Sequence, residues 1–448
     1  MTNGDRVSRT LAAFAADLRF STAPEGARYA TRRLLVNTVS LATAAARRTS
    51  VDMMLRLQQE LGGAEQVAVL GRPERLSLFA APVVNGMSAH VDDFDDTHLP
   101  TIVHPGAPVV PAVLALAEQR GIDGHEVMSA ILAGVEVSLR VADAISPGLI
   151  NRGWHPTATA GHLGSAVACA RLLGMDADHV HRALAIGMAQ SSGVLTINGT
   201  MTKAFHPGKA AANGIEAALL VEAGWDAFEE PIEGAAGFAR ITAPTVDFDR
   251  MISDLGVRWE TEANAFKPYA CGIVSHAAID AAVALRDRIG GADIESVDVR
   301  VPQIVLDAMG IEDPKDELQT KFSVYHCVAV GLLDGAGGPP EFSDERAVAP
   351  DVVDLRRRTK VTIDAEVPVG AAFLTVRTTS GEEFREDVIH ATASAERPMT
   401  DAELETKVRR LMEPVLGVDG ASRVMQLCEQ LDAAPSVIEL VAATVWEG

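Results

Sequence analysis

Residues 85–106 read NGMSAHVDDFDDTHLPTIVHPG. Four aspartates (Asp92, Asp93, Asp95, Asp96) and three histidines (His90, His98, His104) fall between His90 and His104. An exposed acidic loop would need neither the histidines nor the apolar Phe94, Leu99 and Ile102 among them. Pro100 and Pro105 bar a regular helix through the second half, because proline lacks an N–H and clashes with the preceding turn. An apolar helix is expected directly afterwards, over 109–118. The stretch is therefore an irregular polar segment placed by a helix, a common setting for binding and catalytic groups.

Outward from this segment the hydrophobic period is helical on both sides. Val7, Leu11, Phe14 and Leu18 recur at helical spacing, and helices are expected over 27–45 and 52–61, the latter closed by Gly62-Gly63. Residues 67–70 and 76–78 are too short to classify. Downstream, 109–119, 124–144, 159–173, 178–188 and 208–223 read as helices, and 159–173 is built almost wholly of small residues. The pattern changes near Lys267. Residues 296–301, 360–363 and 372–378 alternate like half-buried strands, and Thr379-Ser-Gly381 turns the last into 383–389. Thr400 and Glu403 have capping-box spacing, so Thr400 is the expected N-cap of a new helix. The expected fold is mainly α. A large all-helical domain of 1–267 and 396–448 carries a smaller α+β lid domain, 268–395, inserted before the C-terminal helices.

Composition sets limits on partners. At 448 residues the chain exceeds one small core. A net charge of -22 excludes nucleic acid and anionic membrane as natural partners, since phosphate surfaces require basic ones. No apolar run is long enough for a membrane span, and the opening MTNGDRVSRTLAAF has no leader-like apolar core. Cys169, Cys271, Cys327 and Cys428 have neither CxxC nor zinc spacing and read as reduced thiols, so a cytoplasmic location is expected.

Chemistry gathers where histidines do. Besides the opening stretch, His155 and His162 lie around Trp154-His-Pro156, His206 in Thr202-Lys-Ala-Phe-His-Pro-Gly208, and His276 and His326 in the lid and its approach. Histidine exchanges protons near neutral pH, so this distribution points to acid–base work. His90 and His162, among small apolar residues on helices, read instead as satisfied structural histidines. His155-Pro156 opens a helix whose free N–H groups suit a carboxylate. Lys203 and His206 are expected to lead into the helix near Gly208 as an anion anchor, and Lys267 marks the domain junction. Asp92-Asp93-Phe94-Asp95-Asp96 matches the DDxxD pattern that holds magnesium in prenyl-chain enzymes, but the chain is only 4% aromatic and lacks a second such motif. No P-loop, GxGxxG, GxSxG or HExxH occurs, and zinc, possible in principle from the histidines, meets no familiar ligand spacing, so the motifs point to no particular metal or cofactor.

On these residues the chain resembles the MmgE/PrpD family. The resemblance rests on Asn85-Gly86, His90-Val-Asp-Asp-Phe-Asp-Asp-Thr97, His104-Pro-Gly106, Gly134-Val-Glu136, Trp154-His-Pro156, Gly161-His-Leu-Gly-Ser165, Thr202-Lys203 with His206-Pro-Gly208, Lys267-Pro-Tyr, Lys321-Phe-Ser and Leu332-Leu-Asp-Gly335. It implies a helical domain with an α+β lid, a homodimer paired through the helical domain, and a site between domain and lid. It also implies cofactor-free chemistry on small di- or tricarboxylates. Within the family's decarboxylase branch the site residues match Asp93, Thr97, His104, His155, Lys203 and Lys267. Three positions depart. Gly272 falls where that branch has a histidine, His326 where it has a tyrosine, with Tyr325 one place before, and Val135 replaces a tyrosine.

The function expected is a lyase, a dehydratase or decarboxylase, acting by proton transfer next to a carboxylate. His104 is the acid–base residue, Asp93 and Thr97 orient it or the substrate, and His155 and Lys203 complete the catalytic set. Lys267, His206, His276, His326, Tyr325 and Gly272 are the expected substrate-binding residues. Reprotonation on the other face would instead make an epimerase of a dicarboxylate such as iminodisuccinate. Loss of chemistry at Gly272 and His326 would leave a binding protein on the same scaffold.

Overall fold

A computed structural model describes residues 7–446; residues 1–6, the first part of the opening stretch expected to lack a leader-like apolar core, and 447–448 lie outside it. The chain is mainly helical, with a small mixed sheet in its C-terminal region. The first half packs helices Glu25–Ala44, Ala80–His90, Gly106–Arg120, Gly124–Ile145, Pro156–Leu172 and Thr202–Glu222 against one another. Every residue of Ala80–His90 and of Pro156–Leu172 is buried. Small residues make that possible, because helices without bulky side chains are covered on all sides at close range.

Two crossings show how tightly the helices approach. A Cβ on Gly134 would stand 2.4 Å from the Gly164 carbonyl oxygen. A Cβ on Gly208 would stand 2.3 Å from the Val83 carbonyl oxygen, and one on Gly86 would stand 2.8 Å from Gly208 Cα. The second crossing has a functional result. It locks the helix ending at His90 against the helix that starts at Thr202 and carries Lys203.

That last helix begins earlier than its sequence suggests, at Thr202 and not near Gly208, and runs through Pro207. Proline removes only the bond from its own nitrogen back to the Lys203 carbonyl, and packing carries the helix past it. Lys203 and His206 therefore lie inside its first two turns. The two short segments left unclassified form a two-stranded ladder, Val67–Ala68 with Arg75–Leu76.

The C-terminal region contains a four-stranded sheet. Its spatial order is Thr359–Ile363, Ile294–Val301, Ala372–Thr378, Glu383–Val388, the first pair parallel and the others antiparallel. Helices His276–Ile289 and Val324–Asp334 supply the apolar cover, centred on Ile279, Val297, Val299, Val328 and Leu374. Leu41, Phe94 and Leu411 of the helical part join this second core, so the two parts are packed together. The closing helix Asp401–Glu429 starts at Thr400, whose hydroxyl accepts from the Glu403 amide while Glu403 accepts from the Thr400 amide, the expected capping box.

Candidate active site

Residues 91–98, with Thr101, Val103 and His104, form a buried wall, and Pro100 is the one exposed residue of the stretch 91–104. Asp92, Asp93, Asp95, Asp96, Thr97, His98 and His104 are each at most 4% exposed. Asp96–His98 forms a short strand antiparallel to Asn264–Phe266, with Asp96 opposite Phe266. This pairing brings Lys267, the next residue, to Asp93. Asp93 and Ile102 have positive φ, 50° and 59°; only four non-glycine residues do so among those described. Such backbone persists only where surroundings hold it, and it concentrates at functional sites.

The Asp93 carboxylate is the electrostatic centre. Its Oδ1 accepts from Lys203 Nζ at 2.7 Å and from Lys267 Nζ at 2.9 Å. Burial pushes this carboxyl up, but the two ammonium groups outweigh it and hold the group well below the usual range. Lys203 Nζ also lies 3.0 Å from His90 Nε2 and 5.7 Å from the Phe322 ring centroid. Burial, with Lys267 as a like charge, lowers the Lys203 pKa, while Asp93 opposes the shift.

His104 is fixed in one tautomer. Its Nδ1 lies 2.8 Å from the Asp96 carbonyl oxygen and 3.0 Å from Thr97 Oγ1. A carbonyl only accepts, so Nδ1 carries the hydrogen and Nε2 is left as a bare, basic nitrogen. Burial first, and then the Lys267, His90 and Lys203 charges, hold the ring well below the usual histidine pKa, against Asp95. The imidazole is thus neutral, ready to take a proton rather than already carrying one. His90 Nδ1 lies 2.6 Å from Asp95 Oδ2.

His155, the N-cap residue of Pro156–Leu172, places Nδ1 3.0 Å from His206 Nδ1. The ring centroids of His104, His90, His155 and His206 form a row with spacings of 5.0, 6.2 and 5.2 Å. His206 is the half-exposed end of that row. His90, read from sequence as a structural histidine, is satisfied but stands in the middle of the cluster. His162 does fit that reading, bonded to the Ala158 carbonyl and Asn213.

A narrow cavity of about 10 Å³ opens beside His90, Asp93 and Lys203, faced by Thr200, Lys321 and Phe322. Lys321 comes from the α+β region and reaches Asp92 Oδ1 at 3.4 Å. Arg48 grips Asp92 with Nε and Nη2, both at 3.0 Å. Burial raises the Asp92 carboxyl, and Lys321 and Arg48 bring it below its ordinary value. On the other side of the wall lies an open groove of about 1060 Å³, lined by Arg48, Asp92, Phe94, Tyr269, Lys407 and Arg410 among others.

Not every expected residue joins the cluster. His276 is buried edge-on to the Tyr269 ring, centroids 5.4 Å apart, with no hydrogen-bond partner for either ring nitrogen among the described residues. His326 gives Nε2–H to the Glu341 carbonyl at 2.8 Å and packs on Phe342. Tyr325 is half-buried one residue before it, and neither lines the narrow cavity. Gly272 does not leave the space its lack of a side chain suggests: a Cβ there would stand 2.3 Å from Met309 Sδ. His276 and His326 thus make their contacts inside the α+β region, and Tyr325 packs against its core.

His90, Asp95 and His104 also offer ligand atoms within 4.8 Å of one another, the spacing of a metal site. The hydrogen on His104 Nδ1 is committed to the Asp96 carbonyl, and Lys203 and Lys267 face the same volume. Asp95 Oδ2 is taken by His90 Nδ1, while Asp95 Oδ1 has no hydrogen-bond partner among the described residues; the charges of the two lysines would oppose a cation there.

The fold and this cluster define a mainly helical protein with a buried cluster of histidines, carboxylates and lysines set against an α+β region. The chain belongs to the MmgE/PrpD family. Residues 9–251 match the MmgE/PrpD N-terminal domain and 269–433 the C-terminal domain. It is 27% identical to the cis-aconitate decarboxylase of Mus musculus over 384 residues, 81% of this chain and 78% of that one. The Aspergillus terreus enzyme of the same name is 27% identical over 410 residues, 81% of this chain and 83% of its own. The Homo sapiens enzyme is 27% identical over 388 residues, 81% and 79%. Among the described residues no helix is long and apolar enough to cross a membrane.

Proposed function

We propose that this protein is a lyase acting on a small di- or tricarboxylic acid by proton transfer at a carbon next to a carboxylate. The observation that carries the reading is the pairing of a neutral His104, its Nδ1 hydrogen committed and its Nε2 bare, with buried lysines on the neighbouring wall. Membership of the family and likeness to cis-aconitate decarboxylases support it.

The chemistry follows from the charges. A carbanion beside a carboxylate is unstable in water, so a site that forms one must present cations where charge develops. Lys203 and Lys321 face the cavity, and Lys267 stands behind Asp93. His104 Nε2 takes the proton, Thr97 and the Asp96 carbonyl keep that ring oriented, and Asp93 keeps two ammonium groups charged in a buried place. His155, bonded to His206, offers a route for that proton toward the half-exposed end of the row. From that carbanion, loss of hydroxide from the adjacent carbon gives dehydration and reprotonation on the other face gives epimerisation; in decarboxylation the departing carbon dioxide itself leaves the electron pair on carbon, and a proton delivered at the same site quenches it.

A cavity of about 10 Å³ holds little more than one water. Substrate entry therefore needs residues 199–201 or the lid residues 318–322 to move, with the lid, 268–395, opening against the helical domain of 1–267 and 396–448. The chain is proposed to work as a homodimer paired through that helical domain, which sedimentation equilibrium would test.

The deciding experiment incubates the protein with cis-aconitate, 2-methylcitrate, citrate, iminodisuccinate and substituted malates in deuterated water, followed by NMR. Turnover or deuterium entry next to a carboxylate is expected for at least one acid, and it should survive exhaustive chelation. Deuterium entry without net reaction selects the epimerase. Complete inertness toward every acid overturns the reading.

A further inference from the structure

We propose that Lys407, on the closing helix, is a positioning residue for this reaction: its ammonium holds the Phe94 peptide and so fixes Asp93 and Asp95 at their places in the cluster. The inference rests on the reading of the cluster as the catalytic site.

Lys407 stands on the buried face of Asp401–Glu429, in register with Leu404, Val408 and Leu411. That stripe is the core side of the helix, where a lysine is out of place by composition. Lys407 is 6% exposed and, among the described residues, makes no ion pair with a carboxylate. Nζ instead donates to the Phe94 carbonyl oxygen at 2.6 Å and lies 4.0 Å from the centroid of the Phe94 ring. A buried ammonium answered by one carbonyl and one ring face is held for what it touches.

What it touches is the hinge of the site. Phe94 separates Asp93, whose carboxylate serves Lys203 and Lys267, from Asp95, whose carboxylate serves His90. Asp93 is left-handed, a conformation that side-chain-bearing residues keep only under restraint. The restraint is visible in the backbone. The Asp93 carbonyl accepts from Lys267 at 3.0 Å, the Phe94 carbonyl from Lys407, and the Asp96 carbonyl from His104. Three carbonyls within four residues are each taken by a buried side chain from a different part of the chain. Lys407 meets this wall at Phe94, through its carbonyl and its ring, so it acts on the chemistry through the neighbours of that residue. Lys407 and Phe94 also line the open groove, which gives small molecules access to the ammonium from behind.

The test uses the full chain with Lys407→Met and Lys407→Ala, assayed on whichever acid the wild type turns over. Lys407→Met should lower kcat on the order of a hundredfold, the cost of a displacement near 1 Å at reacting groups, with KM moved less than about threefold. Lys407→Ala should lose as much and regain about tenfold or more with added methylammonium entering by the groove. In ¹⁵N-histidine-labelled protein without substrate, the imidazole signals of His90 and His104 should shift in both variants. A folded Lys407→Met protein with wild-type kcat, or unmoved His90 and His104 signals, overturns the proposal. Should Lys407→Met not fold, Lys407→Ala with methylammonium decides in its place, and failure of the amine to restore activity overturns it equally. Inertness of the wild type toward every acid would defeat the catalytic reading alone, and the imidazole signals would still decide Lys407.

Discussion

Histidines stand in both parts of this molecule, and the two parts use them differently. In the helical part, His104, His90, His155 and His206 form a row beside Lys203 and Asp93. In the α+β region, His276 and His326 are just as buried, but they meet the Tyr269 ring, the Phe342 ring and the Glu341 carbonyl. Burial alone therefore does not bring a histidine into the cluster. The helical row exists because the Gly86–Gly208 crossing and the His155 helix start bring element ends to one point. The ends carry lysines and aspartates with them.

The largest effect should come from setting one histidine of each part against the other. His104→Asn removes the candidate base whose bare nitrogen is fixed by its tautomer, so turnover should fall roughly a hundredfold to ten-thousandfold with the thermal midpoint little changed. His326→Asn should leave kcat within about threefold and lower stability by about 1 kcal/mol, the worth of one lost hydrogen bond. Equal losses of kcat in the two variants would erase the distinction between the two parts.

The aspartates sharpen it within a single stretch. Asp93→Asn leaves Lys203 and Lys267 buried without their shared counter-charge, which costs on the order of 3–5 kcal/mol in chemical denaturation at neutral pH. Because its folded pKa is depressed, Asp93 stabilises the protein above the unfolded value near 4, and that contribution is lost as pH falls through the folded pKa. Wild type and Asp93→Asn should thus converge in stability toward low pH. Convergence toward high pH instead would contradict the ion-pair assignment.

Asp96 should behave in the opposite sense. Its carboxylate accepts from the Gly106 amide at 3.1 Å and the Asn264 side chain at 2.9 Å, with no ion pair to an ammonium group among the described residues, and burial with the neighbouring Asp95 pushes it up to about 7. A raised folded pKa means stability is fullest below about 4 and is lost as pH rises toward 7. Asp96→Asn keeps an acceptor for both donors and cannot ionise. It should therefore flatten the wild-type decline between pH 4 and 7 and be the more stable protein above it, by a few kcal/mol at about 1.4 per pK unit. A wild-type profile without that decline would remove the contrast with Asp93.

Much of this was legible in the sequence. Helix and strand periods gave the element order, the Thr400–Glu403 spacing gave the last helix start, and the motif order gave the family. His104, Asp93, Thr97, His155, His206, Lys203 and Lys267 were all marked, and the structure brings them together. His90 was set aside because its helix is apolar on every side, and only the Gly86–Gly208 crossing shows that its end abuts Lys203. Lys407 left a usable trace, a lysine on an otherwise apolar stripe, but its partner is more than 300 residues earlier in the chain (|i−j| = 313) and is a backbone carbonyl. Such partners have no sequence signature. Asp92 and Asp93 are adjacent and identical, so nothing local tells which faces Arg48 and which faces Lys203.

Gly272 carries the smallest effect and the finest test of the comparison. Aligned with the decarboxylase branch it stands for a missing imidazole, which would make the position part of the site. In the structure its empty Cβ direction belongs to Met309, which is fully buried in the core of the α+β region. Its amide donates to the Lys321 carbonyl at 3.1 Å, so the backbone here still supports a lysine that faces the narrow cavity. A methyl group on Gly272 would meet a thioether, the most adaptable of core side chains, rather than backbone. Gly272→Ala should therefore cost about 1–3 kcal/mol at most, with Met309 turning aside, and leave KM for the working acid within about threefold. Relief of the stability loss in Gly272→Ala combined with Met309→Ala would confirm the contact, since the two changes should then be non-additive. A tenfold rise in KM from the single methyl, with stability unchanged, would place Gly272 against substrate and move this edge of the α+β region into the site.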